Sequence, residues 1–104
     1  MRILNYTGKY ITVINEFGLI VTYPPEANAY CDVQIKKKTT VDMMTVYRKE
    51  YGRVINLPRP DPNFEKLYIV NKDVAVAAQP RFDLLVSEIP QTDERVSYHR
   101  LVNV

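Results

Sequence analysis

A small, mainly β domain, an antiparallel barrel or sandwich with one short helix, is the fold class this 104-residue chain predicts. Three observations carry that reading. Short runs of β-branched and aromatic residues recur along the chain and are separated by turn residues. Leu67-Tyr-Ile-Val70 is a continuous apolar run of strand length, the best candidate for a central strand. Only residues 72–79, centred on Val74-Ala-Val-Ala-Ala78, have a helix-compatible, alanine-rich composition.

Arg2-Ile-Leu-Asn5 reads as a first strand, followed by strands over 10–15 and 19–23. Glu16-Phe-Gly18 between them reads as a three-residue hairpin loop in which Gly18 supplies positive φ. Pro24-Pro25 ends that pairing, because neither nitrogen can donate to a ladder. Residues 29–36 alternate, with Cys31, Val33 and Ile35 on one face and Tyr30, Asp32 and Gln34 on the other, the pattern of a half-buried strand. Further strands are expected over 41–47 and 53–57, with Tyr51-Gly52 as the break between them. Pro58, Pro60 and Pro62 make 58–63 a stiff extended loop. After the apolar run, Asn71 is placed to cap the helix, whose Val74, Ala77 and Ala78 face the core, and Pro80 stops it. A brief strand over 84–86, a polar turn over 91–94 and a last strand over 96–104 complete a single domain, 1–104.

The size suffices for one core without covalent staples. Cys31 is alone, so no internal disulfide exists, and with His99 as the one histidine no tetrahedral zinc site can be assembled. No apolar run approaches a membrane span and no signal-peptide pattern opens the chain, so the expectation is a cytoplasmic protein with no membrane contact. Fourteen basic and 12 acidic residues leave a net charge of +2, too little for the whole-molecule field to select partners. Lys36-Lys37-Lys38 is the densest cationic run. It reads as a solvated strand edge protected against sheet addition rather than as a nucleic-acid contact, because few exposed-looking aromatics flank it.

Catalytic patterns are absent or weak. Gly8, Gly18 and Gly52 form no phosphate loop, the aspartates are spread evenly rather than clustered for a metal, and His99 has no paired nucleophile or second histidine. No catalytic residue, metal or cofactor is therefore expected. Binding fits better. Arg81, between a proline-stopped helix and Leu84-Leu-Val86, is either an anion fork or half of a structural ion pair with Asp83. Arg53 or Arg59 could grip phosphate beside it, Tyr51 or Tyr47 could stack on a base, and Asp83 could orient Arg81 or accept from a ribose hydroxyl.

Asn5-x-Thr7 followed by Ile11, then Pro24-Pro25, Tyr51-Gly52, Leu57-Pro58, Tyr68-Ile-Val70, Ala75 to Ala78 and Arg81-x-Asp83-Leu84 resemble a family of small proteins from bacterial and phage genomes. That family typically opens with an Asn-Leu-Thr-Pro-His-type segment. Here Tyr6 replaces the leucine and Gly8-Lys9 stands where Pro-His would be, so a role tied to that histidine does not carry over. The resemblance implies a phage or prophage origin. By analogy with small phage proteins of this size, it implies an anti-defence sponge that sequesters a cyclic nucleotide or cyclic ADP-ribose signal without cleaving it.

The leading expectation is thus a non-enzymatic homo-oligomer whose inter-subunit pocket binds a phosphorylated nucleotide, with the C-terminal strand contributing to self-association. A structural or protein-interaction module is the second reading. The third is a metal-independent nucleotide-cleaving enzyme using His99 as acid or base.

Overall fold

Val70 and its neighbours lie at the centre of a mixed sheet in the computed structural model, which describes residues 1–88 and 100–103. Four strands form this sheet: β1 (Arg2–Asn5), β6 (Lys66–Val70), β7 (Leu84–Glu88) and β8 (Arg100–Asn103), in the spatial order β1-β6-β7-β8. β6 is parallel to both β1 and β7, with Arg2 opposite Lys66 and Tyr68 opposite Leu84, while β7 and β8 are antiparallel. The mainly β class with one short helix is as expected, but the central pairing is not antiparallel and no barrel closes among the described residues. The reason is the helix α1 (Lys72–Ala77), which supplies the crossover that parallel neighbours need.

β6 is apolar without interruption because both of its faces are covered. On one face Tyr68 and Val70 pack with Leu84, Val86, Val74, Ala75 and Ala29. On the other, Ile69 and Leu85 pack with Ile11 and Val13, which belong to the ribbon of β2 (Ile11–Ile14) and β3 (Ile20–Tyr23). That ribbon on the sheet is the sandwich-like part of the architecture. Its turn is the expected one: Asn15 N donates to Leu19 O, the Asn15 side-chain oxygen accepts from Phe17 N and Leu19 N, and Gly18 has φ 76°.

The helix is centred one residue earlier than expected. Val74 and Ala75 are buried, whereas Ala77 and Ala78 are only half-buried. Asn71 precedes the helix in extended conformation but makes no side-chain cap. The Gln79–Pro80 peptide is cis.

The larger correction concerns residues 29–57. Instead of strands at 29–36, 41–47 and 53–57, one long antiparallel ribbon forms from β4 (Val33–Val41) and β5 (Met44–Tyr51). Asp42 and Met43 make its two-residue turn with φ 48° and 62°. Positive φ at both centres is the primed geometry that matches strand twist, and Asp-Met lacks the glycine that usually signals it. Residues 53–57 contribute a single bridge, Tyr30 with Ile55. The half-buried reading of 29–36 also fails beyond Val33: Ile35 is 66% exposed, because nothing among the described residues covers the ribbon. The polar turn expected over 91–94, and all of the last strand outside β8, lie outside the described residues.

The turn after β1 is locked by a side chain. Asn5 is 1% exposed, and its amide donates to Lys9 O (2.6 Å) and Tyr23 O (2.8 Å). Its side-chain oxygen accepts from Thr7 N (2.9 Å) and lies 2.6 Å from the Thr7 hydroxyl. The Asn5-x-Thr7 motif is therefore an Asx turn that satisfies both ends of a buried amide. Gly8 follows with φ 79°, and its N–H donates to Ala27 O. A proline fits neither that φ nor that hydrogen bond. Among the described residues no helix is long and apolar enough to cross a membrane.

Candidate functional site

Parallel strands open a crevice beyond their carboxyl ends, where the chain leaves the sheet. β6 and β7 end at such a place. A cleft of about 260 Å³ is lined there by Val70, Asn71 and Lys72 at the end of β6, Val86 to Glu88 on β7, and Thr7, Lys9 and Ile11 from the opening segment. Ile11, Val70 and Val86 provide an apolar floor, and Lys9, Lys72 and Glu88 are exposed at its edge, two cations against one acid.

Both cations stand on fixed backbone. The Lys9 carbonyl accepts from Asn5 Nδ2 (2.6 Å) and lies 3.0 Å from Thr7 Oγ1, while Lys9 N donates to that hydroxyl (3.4 Å). Lys72 begins α1, whose first turn is held by Ala75 N donating to Asn71 O (3.0 Å). Two lysines so placed can meet an anionic group above an apolar floor with little ordering cost in the backbone.

Arg81 has a different role from an open anion fork. Its Nε and one terminal nitrogen donate to the two oxygens of Asp83 at 2.9 and 2.6 Å, and the other terminal nitrogen donates to Pro58 O at 2.7 Å. The side chains are 16% and 7% exposed. Arg81 also stacks over Tyr68, 5.8 Å from the ring centroid, and Tyr68 meets Tyr6 edge to face at 5.2 Å. Burial pushes the Tyr68 phenol above its usual pKa. Of the two roles open to Arg81, the geometry is that of the bidentate structural pair, pinning the proline loop to the start of β7.

The other expected residues are dispersed around this core. Tyr47 and Tyr51 share one face of β5, four residues apart; Tyr47 is 62% exposed and Tyr51 half-buried. Arg53 is exposed just beyond β5, and Arg59 is exposed next to Pro58, which Arg81 holds. Tyr51 lines a groove with Asp32, Gln34, Glu50 and Gly52. Lys36 and Arg48 both pair with Glu50 and hold its carboxyl below the ordinary pKa, so the cations nearest this groove are already engaged by a carboxylate. His99 lies outside the described residues. Among the described residues no cluster of His, Cys, Asp and Glu is arranged to hold a metal ion.

Cys31 packs against the helix-side core, as read from the alternation. Burial first, then the negative charges of Asp73 and Asp32, push its thiol pKa up. A protonated thiol is a poor nucleophile. At pH 8 the native protein is expected to react with a disulfide reagent at least about fivefold more slowly than the unfolded chain. Equal rates would show that Cys31 is not sheltered.

Lys9, Lys72, Thr7 and Asn71 were not foreseen from the sequence. The available signal was Asn71-Lys72 following the apolar run directly, but it acquires meaning only once β6 is known to run parallel to its neighbours. Compared with family models, curated proteins and solved structures, the chain matches none, so the functional argument stands on this geometry.

Proposed function

We propose that this protein binds a small phosphorylated ligand of mononucleotide size or less and retains it unchanged, using the cleft beyond the carboxyl ends of β6 and β7. The observation that carries this reading is the pair Lys9 and Lys72, each on hydrogen-bonded backbone, at the edge of an apolar floor. Lysine meets phosphate as a point charge, and apolar walls suit the rest of a nucleoside. A volume of about 260 Å³ is below the roughly 300–1,000 Å³ usual for drug-sized ligands, which favours a cyclic mononucleotide over cyclic ADP-ribose. Self-association is part of the proposal. β8 ends the sheet order β1-β6-β7-β8 among the described residues, and an edge strand is the natural place for a second copy to add. Retention of a nucleotide signal by such an oligomer is the action expected of a phage anti-defence sponge.

Incubation of purified protein with cyclic and linear mononucleotides, followed by heating and recovery of the ligand, tests the reading. Intact release is the expected result; a chemically altered ligand favours the enzyme reading, and no uptake favours a protein-interaction module. Lys9→Ala and Lys72→Ala are each expected to weaken binding about tenfold, while Arg53→Ala and Arg59→Ala leave it within about twofold. Equal affinity in all four variants would remove the ligand from this cleft. Light scattering is expected to give at least twice the 12.1 kDa chain mass.

A further inference from the structure

The β4–β5 ribbon serves no core of its own. Every residue from 34 to 49 is exposed, on both faces of two strands that have no third neighbour among the described residues. Nine residues of β4 extend about 30 Å at ~3.4 Å per residue.

The charge is concentrated on this element. Residues 33–51 hold five of the chain's 14 cations and two of its 12 acids, a net +3, leaving −1 for everything else. Lys36 and Arg48 pair with Glu50, and Lys49 with Asp73 of α1, near the ribbon's base. Lys37 and Lys38 have no ion-pair partner among the described residues. The ladder shifts register between Lys37 and Thr39, so Lys38 is an extra cation inserted by a bulge. The register also places Tyr47 directly opposite Lys37. The aromatic neighbour missing along the sequence is thus present across the ribbon. Beyond the lysines, around Asp42, the tip exposes Val41, Met43 and Met44, with Met43 at 96%.

We propose that this ribbon is a docking arm for double-stranded DNA. A two-stranded ribbon is a shape the roughly 12 Å major groove admits, and polyanionic DNA complements the only strongly cationic element described. Lys37 and Lys38 neutralise phosphates, Tyr47 lies against the sugar-phosphate wall, and the methionine tip offers apolar contact to thymine methyls. Asp42 opposes this field at the turn. The small-ligand cleft plays no part in it.

Fluorescence anisotropy with a labelled random-sequence 20-base-pair duplex, read from 50 to 200 mM salt, tests the arm. Binding is expected, with log affinity falling against log salt at a slope of about −2 to −4, for two to four phosphates neutralised. Lys37→Ala/Lys38→Ala is expected to reduce the slope by about 2 and weaken binding at least tenfold at 50 mM salt, with an unchanged melting curve. Arg2→Ala/Lys66→Ala removes the same charge from an exposed cross-strand pair of the central sheet and is expected to leave the slope unaltered. Asp42→Asn should tighten binding a few-fold. Absence of duplex binding at 50 mM salt, a slope equally altered by both double variants, or tighter binding of single strands or double-stranded RNA than of duplex DNA would each overturn the proposal. So would finding that the ribbon variant changes only the protein's self-association.

Discussion

Asn5→Ala is expected to lower unfolding free energy by about 3–5 kcal/mol, the largest single-residue effect foreseen for this chain. The substitution removes the donor for the carbonyls of Lys9 and Tyr23 and the acceptor for Thr7 N, at a site 1% exposed. Each buried polar group left without a partner costs about 1–3 kcal/mol. Domains of this kind have about 5–15 kcal/mol in total, so the variant should approach the edge of folding. Asn5→Asp should behave similarly, because a carboxylate supplies no donor and turns negative oxygen toward two carbonyls. Urea unfolding at constant m-value measures both, and a loss under 1 kcal/mol in either would show that the turn holds without its amide.

Arg81→Ala should cost about 3 kcal/mol or more, and Asp83→Ala a comparable amount, since each leaves a shielded charge without its partner. The Asp83 side chain is the more deeply buried of the two, at 7% against 16%, so orphaning it by removing Arg81 should be the worse of the pair. Removing Arg81 also frees Pro58 O and uncovers Tyr68. The double variant Arg81→Met/Asp83→Leu should recover part of either single loss, because an apolar pair of similar volume needs no desolvation. Arg2→Ala, on an exposed position of β1, should stay within about 0.5 kcal/mol. Losses below 1 kcal/mol for both single variants would mean that this pair contributes as little as an exposed one.

Local chemistry in the sequence was legible where a short-range rule decided the structure. Arg2–Asn5, the Gly18 hairpin, the Leu67–Val70 run and the proline-stopped helix all follow from residues within a few positions of one another. The misreadings occur where the deciding partner is remote. Nothing near Val41 announces that Asp42-Met43 will turn the chain, and alternation over 29–36 implies burial although no element among the described residues comes to cover its far end. The candidate site was hidden for the same reason. Arg81 and Asp83 stood out because they are two residues apart, whereas Lys9 and Lys72 are neighbours only through the parallel pairing of β1 with β6.

That parallel pairing also sets an order of events for the chain. Arg2 meets Lys66, 64 positions later, and β6 needs β7 along its other edge before its backbone ladder is complete. The first strand must therefore wait through the synthesis of more than half the molecule, while the two hairpins between can close on their own within microseconds. Closing so long a loop before any long-range contact rewards it makes assembly of the central sheet the slow step, on the millisecond-to-second scale of high-contact-order domains. The β4–β5 ribbon is then a spectator. It forms early, contributes little to the barrier, and can vary in sequence without altering how fast the protein reaches its native state.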